Sequence, residues 1–241
     1  MVFVIDTSGS IGSSRFQLIR EFTANVTAEL INGSPSSAVG VILFASSARI
    51  HFNLQAYTSL NALLSAIYQL PYSEGGTDTH EALTLLLSSA QNGVLGLRND
   101  TSKVAIVITD AQSNSRSATL YAANLLHASN IFDVYAVGVD VADLIELKGI
   151  ASSPEFVFFT SSFSSISIQQ LEDEIMSQLC DCKLSTKVQV YNTLFEKIRK
   201  FLVWLVTAYI FVSVLPFVTD LLKPSSYNIY KYLEICYSII Q

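Results

Sequence analysis

The sequence predicts an α/β fold in which helices cover both faces of a mostly parallel sheet. Short apolar runs of β-forming residues recur along residues 1–160, as expected for strands that are buried on both faces. Most of these runs are followed by a stretch with apolar residues at three- and four-residue spacing, which is the pattern of an amphipathic helix. Strands and helices that alternate in this way form a doubly wound sheet.

The predicted elements follow one another in a regular order. Buried strands are predicted over residues 2–5, 38–45, 104–110, 133–139 and 156–159. Residues 48–53 alternate apolar and polar side chains after a short Ser-Ser turn, which predicts one antiparallel edge strand. Helices are predicted over 14–31, 60–70, the stretch after Thr77 to about Gln91, 116–128, 142–151 and 164–179.

The composition narrows the class of function. A formal net charge of −6 makes nucleic acid an unsuitable partner. Three cysteines and three widely spaced histidines indicate neither a disulfide scaffold nor a zinc or histidine-based catalytic cluster. Half of the 241 residues are hydrophobic and 14% are charged. The mean hydropathy of +0.42 is high for a soluble α/β domain and indicates a membrane segment.

The loop after the first strand is rich in oxygen-bearing side chains. Asp6, Ser8 and Ser10 alternate along it, and Gly9 and Gly12 allow the backbone to turn. In an open parallel sheet, such a loop lies at the carboxyl end of its strand, where ligands bind. One carboxylate and two hydroxyls form a hard-oxygen site, which suits Mg²⁺, Mn²⁺ or Ca²⁺ better than zinc.

Two further stretches place oxygen-bearing side chains at element ends. Gly75 and Gly76 precede Thr77, just ahead of a predicted helix, and Asp110 ends the strand over 104–110. Each has a structural alternative, because Thr77 and Thr79 could cap the helix that they precede and Asp110 could cap the helix near 116–128. Helix capping is preferred for Thr79. For Thr77 and Asp110 the presence of the other motifs in the same chain favours a metal site.

The three stretches together resemble the motifs of von Willebrand factor type A domains, like those of integrins, matrilins and collagens. Residues 6–10 match the D-x-S-x-S motif, and residues 75–83 match G-G-x-T-x-T-x-x-A-L in outline. The third motif is usually T-D-G, whereas this chain has Asp110-Ala111. The resemblance covers roughly residues 1–180 and implies a Rossmann-like fold with a metal-ion-dependent adhesion site. The implied metal ligands are Asp6, Ser8, Ser10, Thr77 and Asp110.

The resemblance also implies how such a site works. The hydroxyls bind Mg²⁺, or Mn²⁺ or Ca²⁺, directly, and a Glu or Asp of a partner protein completes the coordination. We therefore expect divalent-cation-dependent adhesion, with a collagen-like or other matrix protein as partner, and no enzymatic activity. One alternative is a structural module whose site holds no metal. The other is an aspartyl-phosphate enzyme, which is disfavoured because Ser8 replaces a second carboxylate and Lys103 lies at the wrong end of its strand.

The C-terminal part of the sequence predicts a membrane tether. A polar and basic linker over 181–200 precedes residues 201–219, which contain no charged side chain. At about 1.5 Å per residue this stretch is about 29 Å long, enough to cross a membrane. Residues 220–241 form a short tail.

The sequence contains conflicting indications of the cellular location. No secretory signal precedes the first strand, and the basic cluster before 201–219 would place the domain in the cytosol. The resemblance and three N-x-[ST] sequons, at Asn25, Asn32 and Asn99, favour the secretory route and a glycoprotein. We expect an extracellular or cell-surface domain on a single-pass membrane protein.

Overall fold

The computed structural model describes residues 1–110, 112–139, 143–160 and 169–179. The chain divides into two units, Met1–Cys180 and Asp181–Gln241, and all the described residues belong to the first unit. The predicted linker over 181–200, the membrane span over 201–219 and the tail over 220–241 lie outside the described residues, so they stay predictions. Within the described ranges no helix combines the length and the apolar character needed to cross a membrane.

The described strands form a single six-stranded sheet in the order β3-β2-β1-β4-β5-β6. Neighbouring strands are parallel except for β2 and β3, which pair antiparallel. This arrangement confirms the predicted mostly parallel sheet with one antiparallel edge strand. The strands are β1 Val2–Asp6, β2 Gly40–Phe44, β3 Ala48–Phe52, β4 Val104–Thr109, β5 Asp133–Val139 and β6 Val157–Thr160.

The helices follow the strands in the predicted alternation. They are α1 Ser13–Gly33, α2 Leu60–Tyr68, α3 Thr79–Gln91, α4 Arg116–Ala128 and α5 Leu144–Ile150. Residues 169–179 are also helical, and the predicted start of this helix at 164 falls outside the described residues. Strand β6 begins later than expected because Pro154–Phe156 forms a 3₁₀ turn, and proline favours the first position of such a turn.

The core lies on both faces of the sheet, which explains why β1 is an unbroken apolar run before Asp6. Phe3 and Ile5 pack on the face covered by α1, together with Phe16. Val2 and Val4 point to the other face, together with Leu86 of α3. Successive residues of a strand alternate between faces, so both sets must be apolar. Burial of each side chain of this size stabilises the folded domain by about 1.5–3 kcal/mol.

The topology places a switch point of the strand order at the carboxyl end of β1. Strand β1 pairs with β2 on one side and with β4 on the other. After β1 the chain continues to β2 on one side, whereas after β4 it continues to β5 on the other side. Ligands of open α/β sheets bind at such a switch point.

Candidate metal centre

The loop between β1 and α1 is folded by its own side chains. Asp6 is the last residue of β1 and is fully buried, as is Ser8. The backbone N–H of Ser8 donates to Oδ1 of Asp6 over 2.8 Å. The Oγ atoms of Ser8 and Ser10 lie 3.0 Å apart, with Ser10 exposed at the surface. This loop therefore brings the predicted oxygen ligands together at the end of the strand.

Hydrogen bonds tie this loop to the two other predicted stretches. The backbone N–H of Gly9 donates to the carbonyl of Gly75 over 3.0 Å, which anchors the segment that leads to Thr77. On the other side, Thr109 Oγ1 donates to Oδ2 of Asp6 over 2.8 Å, which joins the carboxyl ends of β1 and β4. The structure thus brings all three stretches to one edge of the sheet.

The segment carrying Thr77 is held in turn by the loop after β4. Thr77 is 5% exposed, and its carbonyl accepts from the backbone N–H of Asn114 over 2.8 Å. The side-chain amide of Asn114 donates to Oδ1 of Asp78 over 2.9 Å. A Cβ on Gly76 would lie 2.7 Å from the side-chain nitrogen of Asn114, so a larger residue there would displace the amide that bonds Asp78. Side-chain and main-chain contacts together fix where Thr77 lies.

Helix capping does not explain the predicted site residues. The N-cap of α3 is Asp78, whose side chain makes no capping hydrogen bond, so the capping interpretation is wrong for both Thr77 and Thr79. Helix α4 is capped by Ser115, whose side chain accepts from Ala118. The capping interpretation is therefore wrong for Asp110 as well.

Asp110 directly follows β4, the neighbour of β1, and lies close enough to Asp6 for its charge to act on that carboxyl. The residue is 7% exposed, and its Oδ1 accepts from the backbone N–H of Gln112 over 3.4 Å. Ala111, which replaces the usual glycine of the third motif, lies outside the described residues.

The electrostatics of Asp6 favour a bound cation. Burial raises the pKa of Asp6 from its ordinary value of 3.8 to about 6. Hydrogen bonds from Ser8 and Thr109 oppose this rise in pKa, whereas the negative charge of Asp110 reinforces it. The ionised form of a buried carboxylate beside a second carboxylate is unfavourable unless a positive charge neutralises it.

The donor set fits a hard divalent cation. Among the described residues, no group of three or more His, Cys, Asp or Glu side chains could hold a metal ion. A site here must therefore use hydroxyls beside its two carboxylates, and oxygen donors are those that Mg²⁺, Mn²⁺ and Ca²⁺ prefer.

The chain also matches a protein-family model. The model of the von Willebrand factor type A domain matches residues 1–174. The chain belongs to this family.

The relatives of this von Willebrand type A domain include matrix proteins. The chain is 33% identical over 180 residues to human collagen alpha-1(XX) chain, which covers 75% of this chain and 14% of the collagen. It is 32% identical over 212 residues to matrilin-1 of Gallus gallus, which covers 83% of this chain and 42% of the matrilin. The chain thus spans less than half the length of these relatives.

Solved structures of a mussel protein share the fold. Proximal thread matrix protein 1 of the mussel byssus superposes with a TM-score of 0.60 and 27% identity, over 74% of this chain and 45% of that one. A second structure of that protein has a zinc-occupied MIDAS motif, the metal-ion-dependent adhesion site, and superposes with a TM-score of 0.59 and 28% identity over 73% of this chain and 44% of that one. Divalent metal binding is therefore seen within the family.

Several residues that support the site of this type A domain were not predicted. From the sequence, Thr109 is one more residue of a predicted strand. Its position directly before Asp110 is the one signal that could have suggested a contact with Asp6. Tyr72 donates its hydroxyl to the carbonyl of Ser8 over 3.1 Å. Asn114 follows the third motif at a distance that no local pattern marks. These contacts depend on the tertiary arrangement of the loops.

Proposed function

We propose that this type A domain binds a protein partner through a divalent cation. Asp6, Ser8, Ser10, Thr77 and Asp110 would hold the ion, which we infer to be Mg²⁺ or one of its oxygen-preferring relatives, Mn²⁺ and Ca²⁺. A bound cation of this kind supplies an electrophilic position that a carboxylate oxygen of the partner can occupy.

The observation that carries this proposal is the hydrogen-bonded closure of three loops around a buried carboxylate. Gly9 and Gly75 join the first two loops, and Thr109 joins the third to Asp6. The loops come from distant parts of the chain, yet hydrogen bonds join them at the carboxyl end of β1. Asp6 is held in place by two hydrogen bonds and lacks a compensating positive charge in the contacts described above. Such a site is preorganised for a cation.

The partner class follows from the relatives and the chemistry of the ion. The similarity to collagens and matrilins supports an extracellular location and a matrix or cell-surface protein as partner. The partner must offer an exposed Asp or Glu side chain. We propose no enzymatic activity, because Lys103 precedes β4, at the end opposite to Asp110. The domain over 1–180, the linker over 181–200, the membrane span over 201–219 and the tail over 220–241 remain predictions from sequence.

Isothermal titration of Mg²⁺ and Mn²⁺ into the full chain tests the metal site. We expect saturable binding that Thr77→Val weakens at least about tenfold, because valine keeps the shape of threonine and removes its hydroxyl. Thr79→Val is the matched control, since the Thr79 hydroxyl is buried and has no hydrogen-bond partner. The control should bind as the unmodified chain does.

Partner binding is tested on immobilised collagens and matrilins. We expect binding in Mg²⁺ or Mn²⁺, release by EDTA and loss in Thr77→Val. Partner binding that is unchanged by EDTA would instead indicate a structural module that needs no metal. Turnover of a phosphate ester that is lost in Asp6→Asn would favour the phosphotransfer alternative and overturn the proposal.

A further inference from the structure

We propose that Asn99 carries an N-linked glycan on the edge of the sheet opposite the metal centre, and that Asn25 is left unmodified in the folded protein. The inference rests on the extracellular location proposed above, because the modification takes place in the secretory pathway. Three sequons occur, at Asn25, Asn32 and Asn99, and the described contacts distinguish the first from the third.

The Asn99 sequon lies in an open turn. Arg98, Asn99 and Asp100 are all exposed, and the turn leads directly into β4. Thr101, which supplies the hydroxyl of the sequon, is partly exposed and donates only to the nearby carbonyl of Arg98, over 3.4 Å. An asparagine in such a turn can carry a bulky, hydrated group without displacing any packed side chain.

The turn is far from the metal centre. Asn99 precedes β4, whereas Asp110 follows it, so the two lie at opposite ends of a strand of six residues. At about 3.3 Å per residue the strand is about 20 Å long. A glycan on Asn99 would therefore leave the edge with Asp6 and Thr77 open to a protein partner.

The Asn25 sequon lies on a helix and combines an exposed asparagine with a buried threonine. Asn25 lies within α1, and its side-chain amide donates to both carboxylate oxygens of Glu172, over 3.1 and 3.3 Å. Glu172 is 8% exposed, and the neighbouring Leu171 and Ile175 of the same helical stretch are buried in the core. The hydroxyl of Thr27 is fully buried within the domain. Asn25 is itself exposed, but a glycan on its amide would compete with both hydrogen bonds to Glu172. The buried Thr27 hydroxyl is also out of reach of a transferase once α1 has packed.

The chemical step balances without a group from this chain other than the amide. The donor is an oligosaccharide linked to a lipid diphosphate. The bond between its first sugar carbon and the diphosphate oxygen breaks, and a bond between that carbon and Nδ2 of Asn99 forms. The lipid diphosphate leaves, and the amide loses one proton to a base of the transferase.

The experiment uses the full chain, directed into the secretory pathway of cultured eukaryotic cells by a cleavable signal peptide placed before Met1. The variant Thr27→Val/Asn32→Gln retains only the Asn99 sequon. The protein is recovered from the medium and from membranes, and glycans are removed enzymatically in heavy-oxygen water, which labels each formerly modified asparagine for mass spectrometry. Signal-peptide cleavage verifies that the chain reached the secretory lumen.

We expect this variant to carry a glycan at Asn99. Adding Thr101→Ala should abolish the glycan, whereas the matched change Thr101→Ser should retain it. The variant Asn32→Gln/Thr101→Ala retains only the Asn25 sequon and should be recovered unmodified. Isothermal titration with Mg²⁺ should give the same affinity before and after deglycosylation, because the glycan lies on the opposite edge.

Two results would overturn the inference. One is a chain with its signal peptide removed that carries no glycan at Asn99. The other is secreted protein in which Asn25 is modified as fully as Asn99. Neither result bears on the metal centre, since Mg²⁺ titration of the same protein reports the proposed function separately.

Discussion

Replacing Asp6 by asparagine should stabilise the metal-free domain at neutral pH while it removes metal binding. Asp6 is fully buried at the end of β1, and its pKa is raised to about 6. At pH 7.5 the carboxylate is therefore ionised in an environment that disfavours the charge. Asparagine has nearly the same shape and carries no charge.

The rise in pKa sets the size of the effect. A change from 3.8 to about 6 corresponds to a destabilisation of about 3 kcal/mol when Asp6 is ionised in both the folded and the unfolded chain. Below pH 3.8 the carboxyl is protonated in both states, so this destabilisation is absent. It grows as the pH rises between 3.8 and about 6 and is complete above that range. Asparagine can still accept from Ser8, but Thr109 must reorient its hydroxyl, which costs about 1 kcal/mol. The expected net gain is about 2 kcal/mol at pH 7.5. Near pH 4 about 0.5 kcal/mol of the destabilisation remains, so the variant should be slightly less stable than the unmodified chain.

Urea unfolding in EDTA, followed by circular dichroism at pH 7.5 and pH 4, measures this gain. Asp100→Asn is the control, because Asp100 is exposed, and its stability should match that of the unmodified chain at both pH values. Saturating Mg²⁺ should reverse the order of stability. At one hundred times the dissociation constant, only the unmodified chain gains about 2.7 kcal/mol. An Asp6→Asn variant that is less stable at pH 7.5 by as much as at pH 4 would refute the argument from burial.

Three further outcomes are expected. Mg²⁺ affinity measured by titration should fall as the pH falls through about 6, because protonation of Asp6 removes the charge that attracts the ion; equal affinity at pH 7.5 and pH 5 would contradict this. Gly76→Ala should lower the free energy of unfolding by about 1 kcal/mol, since its Cβ would displace the Asn114 side chain from its hydrogen bond to Asp78. The control Gly33→Ala meets nothing within 4 Å and should leave the stability unchanged or slightly raised. Ser115→Ala should cost about 1 kcal/mol in the same unfolding assay because it removes the N-cap of α4, and no loss would show that the cap is replaced by water.

The fold could be predicted from sequence because its strands are buried on both faces. Strand β1 must be apolar throughout, since α1 packs on one face and α3 on the other. The edge strand β3 could be predicted as well, because its residues alternate between exposed and partly buried positions. Element ends were less predictable where local chemistry competes, as at Pro154, where a 3₁₀ turn delays the start of β6.

The candidate ligands could be predicted because each follows the end of a strand or precedes a helix in a recognisable motif. The supporting contacts could not, because they join segments that are far apart in the chain. Thr109 reaches Asp6 across two neighbouring strands, and Asn114 reaches the carbonyl of Thr77 from the following loop. Sequence reveals which side chains could bind a metal. The cross-links that hold them in one place emerge only when the sheet brings β1 and β4 side by side.

The same cross-links give a physical reason to expect metal binding and stability to be coupled. The charge of Asp6 destabilises the folded domain, because the carboxylate cannot turn toward solvent without breaking its hydrogen bonds to Ser8 and Thr109. A cation bound there would remove that penalty and add a further link between the loops. A purely structural domain would gain nothing from burying Asp6 and Asp110 close to each other, whereas a domain that binds a cation there would gain both affinity and a rigid surface for its partner.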